Sequence, residues 1–184
     1  TLQCIEYAMQ YGISFNIAGG THHAFSDHGE GFCMLNDQAI GANYLLRKKK
    51  ADRVLIVDLD VHQGNGTAEI FKNDSRVFTF SLHGARNYPI RKEKSDLDIG
   101  LEDGCKDEDY LALLVKNLNI VIKEFSPEFI FYQAGVDVTQ GFKQGVETLA
   151  NGTDRRTFGE ATAGEVVKDL GELATRQANR LEVM

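Results

Sequence analysis

An aspartate and a histidine two positions apart, Asp60 and His62 in VLIVDLDVHQGNG, have a spacing that chemistry can use. On an extended chain, side chains two apart point the same way, so a carboxylate and an imidazole can face one ion. Asp137, in FYQAGVDV, can complete a three-ligand set and leave the open position that catalytic zinc requires. Two carboxylates and one imidazole suit zinc first, with iron(II) or cobalt(II) as alternatives. Helix capping would account for Asp60 and His62 taken alone. It does not account for Asp58, a tandem His22-His23 and Asp137 together.

His22 and His23 follow Gly19-Gly20, whose backbone freedom can turn two adjacent rings to the same side. One imidazole near a metal site can act as general base, while the other carries charge or returns a proton. Each ring needs an orienting partner, and Asp58 and Asn65 are available. An amide holds an imidazole without supplying charge, so Asn65 raises its partner's basicity less than an aspartate would. Phe32, flanked by glycine and cysteine in GEGFCMLN, reads either as the wall of a narrow channel or as core. Cys33 has no neighbouring base and is not read as a nucleophile. His28 and His83 read as surface or supporting groups.

Strands must carry these groups to one place. Residues 13–18 (ISFNIA), 54–59 (VLIVDL), 77–82 (VFTFSL) and 129–133 (FIFYQ) are apolar and rich in β-branched or aromatic types, as strands covered on both faces are. Helices are expected over 38–49, after an Asn36-Asp37 cap, over 67–72, and over 107–125. The last has Leu111, Leu114, Val115, Leu118, Ile122 and Phe125 on one stripe. The alternation predicts a doubly wound parallel α/β sheet flanked by helices. His22 and His23 then follow the first strand, Asp58, Asp60 and His62 the second, Ser81 and His83 the third, and Asp137 the fourth. Ligands bind at the carboxyl ends of such strands, so the groups should converge. Residues 84–106 read as a long polar loop of the kind that is functional or mobile. Residues 1–138 form the expected core. Residues 139–184 form a divergent tail whose amphipathic stretch, 163–181, is either a core helix or a partner-binding one.

Composition narrows the function. The 184 residues are 42% hydrophobic and carry three scattered cysteines, which fits one folded, cytoplasmic domain without disulfides. No apolar run is long enough to cross a membrane. A net charge of −7 disfavours direct nucleic-acid binding and favours cationic substrates.

Taken together, GGTHHAFSDHGEGFCMLND, VLIVDLDVHQGNGTAEIF and YQAGVDV resemble the zinc-dependent histone deacetylases and their bacterial acetoin-utilisation and acetylpolyamine deacetylase relatives. NYPIRKEKSDLDIGLEDG is most similar to bacterial deacetylases near class IV. The motifs span residues 13–138. The resemblance implies an arginase/deacetylase fold, here incomplete, and hydrolysis of an N-acetyl amide on an acetylated lysine peptide or acetylated small amine. It implies zinc on Asp60, His62 and Asp137, His22 paired with Asp58, and His23 as general base. It also implies Phe32 along the acyl-lysine channel and a structural potassium near Asp58, Asp60, His62 and Ser81.

Three departures from the family pattern stand out. Asn65 replaces an aspartate found in many members. The chain begins in what the family uses as an internal helix. The family's later glycine-rich loop bears a tyrosine that polarises the substrate carbonyl, whereas no tyrosine follows Tyr132 here. The expected activity is therefore deacetylation. The alternatives are a metal-bearing module that binds acetyl-lysine or a partner without turnover, and a ureohydrolase, which would need more metal-binding motifs. Uncovered sheet edges and the 163–181 stripe would favour association between copies.

Overall fold

The computed structural model describes residues 1–135. Strands β1 (Val54–Asp58), β2 (Val77–Gly84), β3 (Leu97–Leu101) and β4 (Phe129–Gln133) form one parallel sheet in the order β3-β2-β1-β4. Helices α1 (Leu2–Tyr11), α2 (Asp37–Arg47), α3 (Asn65–Phe71) and α4 (Asp107–Phe125) complete the described elements. From β1 the chain steps outward to β2 and β3, and then α4 carries it back to the opposite edge of β1. The reversal makes the carboxyl ends of β1 and β4 a topological switch point, where open α/β sheets hold their ligands.

All five residues of β1 are buried, as expected for a strand covered on both faces. Val54, Ile56 and Val77 pack with Ile5 of α1, with Ala42 and Leu45 of α2, and with Phe131. The other sheet face meets α4. Phe78 is the register partner of Leu55, and its ring lies 5.4 Å from that of Phe125. Burying each large aliphatic side chain here contributes roughly 1.5–3 kcal/mol. Asn36 caps α2 by accepting from the Ala39 N–H at 2.9 Å, and α4 spans the expected 107–125.

The sequence expectation differs from the structure in four places. Residues 13–18 are not a strand, and Ile13, Phe15 and Ile17 are exposed, Ile17 fully so at 103%. Local bonds take the place of a sheet ladder: Ser14 Oγ donates to Cys4 O at 2.5 Å, and Asn16 Nδ2 donates to Thr1 Oγ1 at 2.6 Å. The loop expected at 84–106 contains β3, whose sequence LDIGL is too polar to read as a strand. It is tolerable because β3 is an edge that pairs only with β2 among the described strands. Helix α3 starts at Asn65 rather than at residue 67. On α4 the buried residues are Leu114, Leu118 and Val121, while Leu111 and Val115 are exposed, so the packed stripe is rotated from the expected one. The tail and its 163–181 stretch lie outside the described residues.

Candidate active site

The segment after residue 18 is a turn, so the two histidines do not follow a strand as expected. Asp37, at the start of α2, holds that turn. Its Oδ1 accepts from the N–H groups of Gly20 (3.1 Å) and Thr21 (3.0 Å) and from Thr21 Oγ1 (3.0 Å), while Oδ2 accepts from Thr1 Oγ1 at 2.5 Å. Burial opposes ionisation of this carboxyl, but the bonds from Thr1, Thr21 and Gly20 outweigh it and hold its pKa below 3.8. Asn36 adds a second anchor, donating through Nδ2 to Thr67 Oγ1 at 2.9 Å and to Ala24 O at 3.3 Å. Together these bonds fix the HHA backbone against α2 and α3.

Both histidine rings are buried, with centroids 4.0 Å apart and planes tilted by 42°. His22 Nδ1–H donates to Asp58 Oδ2 at 2.5 Å, because an ionised carboxylate can only accept. His23 Nδ1 lies 2.7 Å from Asn65 Oδ1. The two partners that the sequence offered are thus assigned one to each ring. Burial pushes the His23 imidazole below 6.5, and the neighbouring His22 charge adds to this, while the Asn65 bond pulls the other way. His23 is therefore neutral at neutral pH, as a base must be.

At the end of β1, Asp60 N–H donates to Asp58 Oδ1 (3.1 Å) and His62 N–H donates to Asp60 Oδ1 (2.8 Å). The His62 ring turns back so that Nδ1 is 2.8 Å from the same Asp60 oxygen. Both side chains are partly open to solvent, at 17% for Asp60 and 33% for His62. The His62 ring centroid is 6.1 Å from that of His23. Two donors of a carboxylate–imidazole set thus face each other beside the histidine pair, an arrangement that fits a borderline dication. Among the described residues no group of three such donors is assembled. Asp137 lies outside them. Gly135, two positions earlier, packs directly against the Asp60 backbone.

The remaining expected residues are placed as follows. Ser81 is the register partner of Asp58, and its hydroxyl lies 2.9 Å from His83 Nδ1. His83 is buried, and burial lowers its pKa, with Lys92 adding to the effect and Asp98 and Asp58 opposing it. His28 is at the surface, bonded to Asp27 at 2.6 Å. Phe32 stands at φ +65° and is fully exposed, at 109%. Preceding it, Gly31 lies so close to the His23 ring that any side chain there would collide with it.

Two residues that sequence reasoning missed complete the site. Tyr88 meets the His23 ring edge to face at 4.9 Å and donates its hydroxyl to Glu30 Oε1 at 2.6 Å. That bond, reinforced by burial and the carboxylate charge, pushes the Tyr88 phenol up to about 12. Asn65 Nδ2 donates to the same Glu30 oxygen at 2.8 Å. The loop bearing Tyr88 is tied down by buried Gln63, which donates to Glu93 O and Asp98 Oδ1 and accepts from Glu93 N–H. A tyrosine beside proline in a polar stretch gives no periodic signal, and long-range bonds such as these bring it to His23.

Comparison with known proteins identifies the family. The histone deacetylase domain profile matches residues 1–158, wider at both ends than the motif-bearing stretch. An uncharacterized protein of Picosynechococcus sp. is 46% identical over 151 residues, covering 82% of this chain and 50% of its own length. Histone deacetylase 8 of Xenopus tropicalis is 38% identical over 141 residues, covering 70% of this chain and 38% of its own. The crystal structure of an HDAC homologue from Aquifex aeolicus superposes with a TM-score of 0.68 at 35% identity, over 76% of this chain and 41% of that one. An HDAC homologue complexed with SAHA matches equally well. The chain thus spans half or less of the length of these relatives. With a parallel α/β sheet of the arginase/deacetylase type, paired histidines on separate acceptors and the domain match across most of its length, this chain belongs to the histone deacetylase family.

Proposed function

We propose that the chain carries the histidine and metal-binding part of a zinc-dependent deacetylase acting on acetyl-lysine peptides or acetylated small amines. One observation supports this above others: two buried imidazoles have different Nδ1 partners and lie beside the Asp60–His62 pair. Zinc held by Asp60, His62 and, on the family resemblance, Asp137 would polarise the acetyl carbonyl and acidify the attacking water. The same donors would accept iron(II) or cobalt(II). A potassium near Asp58, Asp60, His62 and Ser81 remains part of the proposal.

His23, neutral and protonated on Nδ1, has Nε2 as its basic nitrogen and takes a proton from the attacking water. His22, bonded to a full carboxylate, is better suited to carry positive charge and return a proton to the leaving amine. Acetate and a free amine result. The net charge of −7 favours a cationic product or substrate backbone. The test combines elemental analysis with turnover of a fluorogenic acetyl-lysine peptide. Zinc with turnover is the expected result, and stoichiometric zinc without turnover would replace the enzyme reading with a binding module.

A further inference from the structure

Asn65 presents a problem that an aspartate in its place would not. A carboxylate can only accept, so it dictates that its histidine partner is protonated on Nδ1. A carboxamide has an acceptor end and a donor end of nearly equal shape, and only its other hydrogen bonds decide which end faces the ring. If Nδ2 faced His23, the ring would have to accept at Nδ1 and carry its proton on Nε2. It would then lack the basic nitrogen that deacetylation requires.

We propose that Glu30 is a positioning residue that sets the His23 tautomer through Asn65. Glu30 Oε1 accepts from Asn65 Nδ2 at 2.8 Å, which turns Asn65 Oδ1 towards His23 Nδ1, 2.7 Å away. With an acceptor opposite it, Nδ1 holds the proton and Nε2 is the bare base. Glu30 is itself fixed by the Tyr88 hydroxyl at 2.6 Å on the same oxygen, and His28 Nε2 lies 3.7 Å from its other oxygen. The Tyr88 bond is the main reason the Glu30 carboxyl ionises more readily than usual, with the Asn65 and His28 bonds adding to it. An ionised Glu30 has no proton to offer Asn65, so the amide has one satisfied orientation. Glu30 thus supplies, one hydrogen bond further out, the directionality that Asn65 lacks.

The inference rests on His23 being the base, so the test reads the ring as well as the reaction. In the full chain labelled with ¹⁵N-histidine, long-range ¹H–¹⁵N correlations distinguish the two tautomers with and without zinc. Wild type should show His23 protonated on Nδ1, and Glu30→Ala should shift it towards Nε2. Kcat should fall roughly 10–100-fold with KM little changed, the scale of losing an orienting partner. Asn65→Asp in the Glu30→Ala background should restore the Nδ1–H tautomer and most of kcat, because the new carboxylate needs no outer partner. Glu30→Gln, which keeps the side-chain shape but adds a donor end, should shift the tautomer and kcat part of the way towards the alanine variant, and it covers a folding failure of that variant. An unchanged His23 tautomer in folded Glu30→Ala, or no rescue by Asn65→Asp, would overturn the proposal. A chain with the expected tautomer shifts but no hydrolysis would retain the Glu30 role and remove the deacetylase reading.

Discussion

At the scale of single residues, the two histidines are separated by what each Nδ1 touches. His22 has a carboxylate at 2.5 Å and His23 an amide at 2.7 Å, and burial keeps the His23 imidazole below its ordinary pKa. His23→Ala should therefore remove hydrolysis of every acyl substrate while leaving stoichiometric zinc, checked by turnover and elemental analysis of one preparation. Substrate electronics give a second expectation. An acyl group that stabilises its own oxyanion depends less on donors supplied by the protein. Trifluoroacetyl-lysine stabilises its own oxyanion, so its kcat/KM should exceed that of acetyl-lysine in the same peptide. Equal values would mean that oxyanion formation does not limit the rate.

At the scale of elements, the first turn of α2 does more than start a helix. Asp37 gathers the backbone of Gly20 and Thr21 and two hydroxyls, and so places His22 and His23 above β1. Its pKa is lower folded than unfolded, so its contribution is complete above 3.8 and is lost as pH falls through the lower native value. Asp37→Ala should cost about 1.5–3 kcal/mol at pH 7, the usual scale for hydrogen bonds to a charged group. In urea melts, the gap between wild type and Asp37→Asn should shrink as pH drops below 4. Helix α3 has its own constraint. A methyl on Gly64 would press on Asp58 Oδ2 and come within 3.2 Å of His22 Nδ1, so Gly64→Ala should pry that pair apart. An overpacking loss of about 1–3 kcal/mol, with a matching fall in kcat, is expected. Wild-type thermal stability and rate in this variant would count against so tight a fit.

At the scale of the whole molecule, the order β3-β2-β1-β4 sets β1 between neighbours reached from opposite directions. That is the switch point where open α/β sheets hold ligands, and Asp58, Asp60 and His62 lie at the carboxyl end of β1 there. One zinc per chain is expected. Asp60→Ala and His62→Ala should each abolish stoichiometric metal, and zinc retained in both would remove the assignment.

Local physics made part of this protein legible in its sequence. Period-two spacing put Asp60 and His62 on one side, apolar runs marked β1, β2 and β4, and the Asn36 cap and α4 stripe marked their helices. Residues 13–18 misled because a strand needs a neighbour as well as β-branched residues, and among the described residues none pairs with it. β3 was hidden for the opposite reason, since an edge strand can be polar once β2 offers a ladder. The alignment of Asp58 with His22 and Asn65 with His23 required the GGTHH turn to be seated by Asp37, a contact 16 residues away. Glu30 and Tyr88 were invisible because 58 residues separate them and neither has a spacing tied to the histidines. Residue type and short-range periodicity determined which chemistry this chain carries. Tertiary structure decided which partner orients each imidazole, because hydrogen-bond direction is settled only when distant loops meet.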